Sequence, residues 1–398
     1  MVKSLHGLRG WASIIVFLGH ILSSFYPNIV DKIALPKQQG YEFWLVRPIL
    51  YFFINSGFAV SLFFMLSGFV LSSHFFMSYN KIYLINSALR RYFRLTIPIM
   101  FVAVLIYAME RLDLFCRVEF AKVTGNVSFL SILPFELDFS ALILNILSYS
   151  HINQYNPVFW TMRHELIGSF LVFGLLLVIG GSRYRFFSYL FFTMFWWDHV
   201  LKLFIIGIAI SDVFYTTKRF DSNGTDHIKF CLECLREIAL FLFFIFGVIL
   251  GYISNFIHKF DMSNFLFSYS YLIVMDADDY AVLGSFLIII ASLHSRLLSL
   301  FFSGRISSFL GDISFSVYLL HIPILYSIGH RLFVILMEYK LTYVYSFAVA
   351  SFAIIIFTIA VSYLFFIYVD NKITKTLKAY LSIGKTSAAR QGRITQWV

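Results

Sequence analysis

The segment Leu5 to His20, LHGLRGWASIIVFLGH, has the composition of a membrane-spanning helix yet carries an arginine and a histidine. Arg9 and His20 are eleven residues apart. At 3.6 residues per turn that is close to three turns, so a helix points both side chains the same way, roughly 16 Å apart along its axis. Ionisable groups at membrane depth are costly and generally face a bundle interior, where they mark a site. An imidazole there is suited to taking and returning a proton, and a guanidinium to holding an anion or a developing oxyanion. The competing reading is that Arg9 snorkels to the headgroups and His20 is a hydrogen-bonded core residue.

Four further segments carry candidate groups. In FFMLSGFVLS, Phe63 to Ser72, the small residues Ser67 and Gly68 allow close approach by another helix or by a thin ligand chain. In RRYFRLTIP, Arg90 to Pro98, Arg91 and Arg94 are three apart and share a helical face. Two guanidiniums so placed chelate phosphate, or simply anchor the helix at a cytoplasmic surface. In NPVFWTMRHELIGSF, Asn156 to Phe170, Glu165 lies about two turns inside a helix and is suited to orienting a histidine; pairing with Arg163 is the structural alternative. In LGDISFSVYLLHIPI, Leu310 to Ile324, Asp312 fits a helix's first turn. His321, just before Ile322 and Pro323, either shares a cavity with His20 or bonds a freed carbonyl.

The elements that must position these groups are helices in a membrane. The 398 residues are 60% hydrophobic and only 13% charged, about half the charged share of a soluble domain. Repeated apolar runs of about 20 residues indicate an all-α polytopic bundle rather than an outer-membrane barrel. Ten candidate spans follow: 7–27, 56–76, 95–111, 158–180, 184–197, 199–216, 235–256, 280–302, 312–337 and 341–369. Trp196, Trp197 and Asp198 read as an interfacial turn, and Phe43 to Ile54 and Phe139 to Tyr149 as interfacial or re-entrant pieces. Lys81, Arg90, Arg91, Arg94, Arg183, Arg185 and the basic tail put both termini in the cytoplasm. One membrane domain, 1–370, is followed by a basic cytoplasmic tail, 371–398, near anionic lipid.

Other classes drop away. The net charge of +10 reflects this loop bias, so no nucleic-acid partner is implied. Cys231 and Cys234 form a lone CxxC without a second pair, so no metal is expected. The first apolar run, interrupted by Arg9 and His20, reads as a retained helix.

Taken in order, RGWA with a histidine eight residues after Ala12, the SGF segment, RxxR before a proline, Trp-Thr followed by Glu, and Gly-Asp-Ile-Ser leading to Tyr-Leu-Leu-His-Ile-Pro resemble acyltransferase family three over residues 5 to about 330. The chain differs from that family's pattern in having Arg163 and His164 before the glutamate. The resemblance implies an integral-membrane enzyme of the bacterial cytoplasmic membrane. It would move an acetyl or other short acyl group from acyl-CoA, most often acetyl-CoA, to a hydroxyl of a carbohydrate such as a surface or exported polysaccharide. On that reading Arg91 and Arg94 hold the CoA phosphates, and the pantetheine arm passes Ser67 and Gly68 to His20. His20 acts as general base or as acyl-carrying nucleophile, Glu165 orients or charge-stabilises its imidazole, and Arg9 positions the donor or steadies the oxyanion. His321 stands behind them. The alternatives are a proton-coupled transporter relaying through His20, Glu165 and His321, and a noncatalytic family member. The oligomeric state is not legible.

Overall fold

A computed structural model of the chain describes residues 2–26, 55–126, 138–220, 229–260 and 277–379. Among these there are helices and turns and no strand. We number the helices α1 (Lys3–Phe25), α2 (Ser56–Ser78), α3 (Lys81–Arg111), α4 (Arg117–Thr124), α5 (Phe139–Ser148), α6 (Phe159–Ile179) and α7 (Arg185–Phe195). They continue as α8 (Leu201–Phe220), α9 (Lys229–Phe260), α10 (Ala277–His294), α11 (Arg296–Ser303), α12 (Arg305–Ile324), α13 (His330–Glu338) and α14 (Tyr343–Phe365). Five-residue π-helical stretches, Leu325–Gly329 and Phe366–Asp370, join α12 to α13 and extend α14.

Each of the ten expected spans lies on helix, but seven described helices are long and apolar enough to cross a membrane, or eight if one bent pair is a single span. The shortfall has physical causes. α7 has 11 residues, too few to cross. α8 carries Lys202 and Asp212. The expected span 280–302 is α10 and α11 bent by 92°. The bend sits at Ser295, whose hydroxyl caps the Leu298 N–H and donates to Glu237 Oε2 at 2.8 Å. Glu237 also accepts the Arg296 N–H at 2.9 Å, so a carboxylate from α9 satisfies the orphan donor of a new helix start. α3 begins at Lys81 rather than near 95, because Asn80 caps it by accepting the Ile82 and Tyr83 N–H groups. Phe139 to Tyr149 is the short helix α5, and Trp196 to Val200 is the turn between α7 and α8. Phe43 to Ile54 and the side chains of Cys231 and Cys234 lie outside the described residues.

α1 and α12 run side by side in the same direction, and glycine makes their contact possible. A Cβ on Gly10 would sit 2.4 Å from the Gly311 nitrogen, and one on Gly7 2.8 Å from the Ser307 Cβ and 1.8 Å from the carbonyl oxygen of Phe302 at the end of α11. Trp11 Nε1 donates to Ser307 Oγ at 3.0 Å across the same interface. Further along, Phe17 and His20 meet His321, and Ser24 meets His330. Beyond the histidines lies a dry aromatic layer of Phe25, Phe120 and Phe333, all fully buried. α14 starts beside that layer, where Tyr343 Oη donates to the Phe25 carbonyl, and runs back past Arg9, where Asp370 lines the cavity mouth, continuing as helix to residue 379.

Candidate functional site

A cavity of about 190 Å³ opens at the start of α1, with Arg9, Ser67, Arg91, Arg94 and Asp370 in its wall. His6 and Asp312 stand at its rim, joined by a 2.9 Å bond from His6 Nε2 to the carboxylate. A second, smaller space of about 30 Å³ shares Arg9, Leu95, Ser314 and Phe315 with the first and continues inward between Phe63, Thr161, Glu165 and Tyr318. Tyr318 stands next to His321, with ring centroids 5.9 Å apart, and His321 stands 5.1 Å from His20. The wall is therefore polar and cationic at the mouth and largely apolar at the constriction, and the two imidazoles stand behind Tyr318, outside the lining of either space.

At the mouth, Arg91 is buried and bonded to two neighbouring side chains. One terminal nitrogen donates to Glu165 Oε1, and its Nε donates to Ser169 Oγ at 2.9 Å. Ser67 Oγ donates to the same Glu165 oxygen at 2.6 Å. α2, α3 and α6 are thus tied together by one carboxylate. Arg94, one turn further along α3, is exposed at the mouth. Arg9 lies over the Phe63 ring, 5.9 Å from its centroid, and its buried Nε has no hydrogen-bond partner among the described residues.

At the inner end, His20 Nδ1 lies 2.8 Å from the Val16 carbonyl oxygen and His321 Nδ1 lies 3.0 Å from the Val317 carbonyl oxygen. A carbonyl can only accept, so each Nδ1 carries the hydrogen and each neutral ring keeps its lone pair on Nε2. His321 is fully buried, and its Nε2 has no partner among the described residues. His20 is partly accessible. Both imidazoles are therefore oriented by their own helices, with Nε2 turned away from the backbone carbonyl. Thr161 Oγ1 and Tyr318 Oη lie 2.8 Å apart and close the wall beside them.

The structure brings Arg9, Ser67, Arg91, Arg94 and Glu165 to one connected pair of cavities and pairs His20 with His321. Three expectations need correcting. Glu165 does not orient His20, because its carboxylate is taken up by Arg91 and Ser67 while the Val16 carbonyl fixes the imidazole. Gly68 is not on a ligand path. A Cβ there would lie 2.2 Å from the Phe204 carbonyl oxygen, so the glycine serves the crossing of α2 with α8, where Gly207 likewise meets the Met65 carbonyl. Asp312 does not cap its helix, which starts at Arg305 with Asp312 two turns inside.

Arg163 is exposed, and His164 packs against Trp160 and His199, so neither lines these cavities. Sequence reading missed Ser169, Tyr318 and Asp370. The first two have no signal beyond their helical register with Glu165 and His321. Asp370 had one, an acidic residue closing a long apolar run, but it was taken for the border of the tail.

A family model described as an acyltransferase domain matches residues 2–367, nearly the whole chain. No curated protein and no solved structure matches it.

Proposed function

The chain belongs to acyltransferase family 3, and from that premise we propose that it moves an acetyl or other short acyl group from acyl-CoA to a carbohydrate hydroxyl, with His20 as general base. Acetyl-CoA is the donor, and the acceptor is a sugar of a surface or exported polysaccharide. The membrane is the bacterial cytoplasmic membrane, with the arginine mouth on the cytoplasmic side. The lysines and arginines of α3 near that mouth support this orientation.

The observation that supports the reading is an imidazole whose Nδ1 is taken by the Val16 carbonyl, standing beside His321 and behind Tyr318, at the far side of a narrow space that begins between arginines. Phosphates of the donor would sit against Arg94 and Arg9 at the mouth. The pantetheine arm would follow the constriction past Phe63 and Tyr318 toward the histidines. Arg91, held by Glu165 and Ser169, contributes charge and shape to the mouth from a fixed position.

At the inner end the acceptor hydroxyl oxygen attacks the thioester carbonyl carbon while His20 Nε2 takes the hydroxyl proton. The carbon–oxygen bond forms, the carbon–sulfur bond breaks, and the departing CoA thiolate recovers the proton from His20. General-base assistance of this kind contributes about 10²- to 10⁴-fold to rate. The bond to Val16 favours this role, since it holds the hydrogen on Nδ1 and turns the lone pair on Nε2 outward. Arg9 is assigned to holding the donor because it faces both cavities at the mouth end.

The test is acetyl-CoA turnover by the protein in lipid, read as free thiol, with a panel of glycan acceptors and His20→Ala alongside. Acceptor-dependent thiol release that falls at least 100-fold in the variant, with insertion and folding intact, is the expected result. Turnover unchanged by His20→Ala would remove the base assignment, and failure to bind acetyl-CoA would remove the donor.

A further inference from the structure

Asp370 lies outside the matched stretch and takes no part in the chemistry above. It is 4% exposed, lines the arginine mouth, and its Oδ1 has no hydrogen-bond partner among the described residues. It lies within electrostatic reach of Arg94, Arg9 and Arg91. It also closes the π-helical stretch Phe366–Asp370, which resets the register of the last helix as it meets the mouth. Such π turns recur at functional sites.

A carboxylate whose task was to hold the arginines in place would be bonded to them, as Glu165 is to Arg91. Oδ1 of Asp370 is not, so it acts through space. It brings the wall to three guanidiniums against two carboxylates, with the His6–Asp312 pair at the rim.

We propose that Asp370 is a counter-charge that weakens the mouth's hold on the donor's phosphates and thereby sets the rate at which spent CoA leaves. This inference rests on the reading of the mouth as the acyl-CoA phosphate site. Acyl-CoA and free CoA carry the same phosphates, so the arginines cannot tell substrate from product. A mouth of undiminished positive charge would keep the product. Binding energy common to both species lowers KM without speeding the chemical step, and it slows release. A fixed negative charge beside the phosphates reduces that common term for both species alike.

The test uses the full-length protein in lipid nanodiscs, with CoA binding by calorimetry and steady-state kinetics on acetyl-CoA. Asp370→Asn keeps the shape and removes the charge. It should tighten CoA on the order of tenfold, the scale of one unit charge a few ångströms from a phosphate in a wet mouth. The KM for acetyl-CoA and the inhibition constant for CoA should fall by the same factor, and kcat should fall as release slows. Asp370→Glu should stay close to the natural protein, and the smaller neutral Asp370→Ser should shift in the same direction as Asn. Simple damage to the mouth would weaken binding, so the sign separates the two. Unchanged or weaker CoA binding in both neutral variants overturns the counter-charge and leaves the donor site standing. Absence of CoA binding in the natural protein overturns the donor site, and the counter-charge with it.

Discussion

Cutting the Arg91–Glu165 pair from either side should have unequal and non-additive costs. Both side chains are almost fully buried, at 8% and 6% exposure. Removing one partner of such a pair strands the other charge and costs about 3–5 kcal/mol, whereas replacing both by apolar groups is often near neutral. Glu165→Leu leaves Arg91 with the Ser169 hydroxyl, and leaves Arg9, Arg91 and Arg94 facing Asp370, with the His6–Asp312 pair at the rim. Arg91→Leu leaves Glu165 with the Ser67 hydroxyl, and leaves Arg9 and Arg94 against Glu165 and Asp370, with the His6–Asp312 pair at the rim. Glu165→Leu should therefore sit at the upper end of that range, about 5 kcal/mol, and Arg91→Leu at the lower end, about 3 kcal/mol. The double variant should cost no more than about 2 kcal/mol, giving a coupling of several kcal/mol. Unfolding in mixed micelles against rising dodecyl sulfate, followed by tryptophan fluorescence, measures all three. A double variant that costs the sum of the singles, or an Arg91→Leu that costs more than Glu165→Leu, would refute the charge accounting.

Other consequences are equally direct. Gly10→Val drives a side chain into the Gly311 backbone; a stability loss of about 3 kcal/mol is expected in the same micelle assay. Turnover should drop about 100-fold as Arg9 and His20 shift against α12. Arg94→Ala should raise the acetyl-CoA KM about tenfold with little change in stability, since the side chain is exposed at the mouth. Burial, reinforced by the neighbouring Glu119 carboxylate, pushes the Cys116 thiol up, so little thiolate is present at neutral pH. Peptide mapping after maleimide treatment of the folded protein should find Cys116 unmodified at pH 7, with labelling rising at higher pH.

Hydropathy and charge made the helical bundle legible, and helical spacing put Arg9 and His20 on the helix that carries the site. The arginine pair and Glu165 were readable as buried or clustered charge. Their partnership was not, because pairing depends on which helices neighbour one another. Ser67, Arg91 and Glu165 meet from three separate segments. The same limit hid the bend at Ser295, made by a carboxylate 58 residues earlier in the chain. Gly68 shows a different ambiguity, since the residue that admits a thin ligand equally admits a helix backbone, and only the position of Phe204 decides.

The aromatic layer formed by Phe25, Phe120 and Phe333 bears on the membrane's energy balance. A protein that opens a wet, charged cavity from one side of an energised membrane thins the insulation there, and a continuous water file through the histidines would short-circuit the proton gradient. The rings above His20 and His321 are fully buried and supply the missing dielectric. An ion passing between the rings alone would shed its hydration at a cost of many kcal/mol, and the Ser24–His330 pair, with His330 stacked on Phe120, is the polar group it would meet. In the proposed reading, that layer separates the arginine mouth from the far ends of α1 and α12.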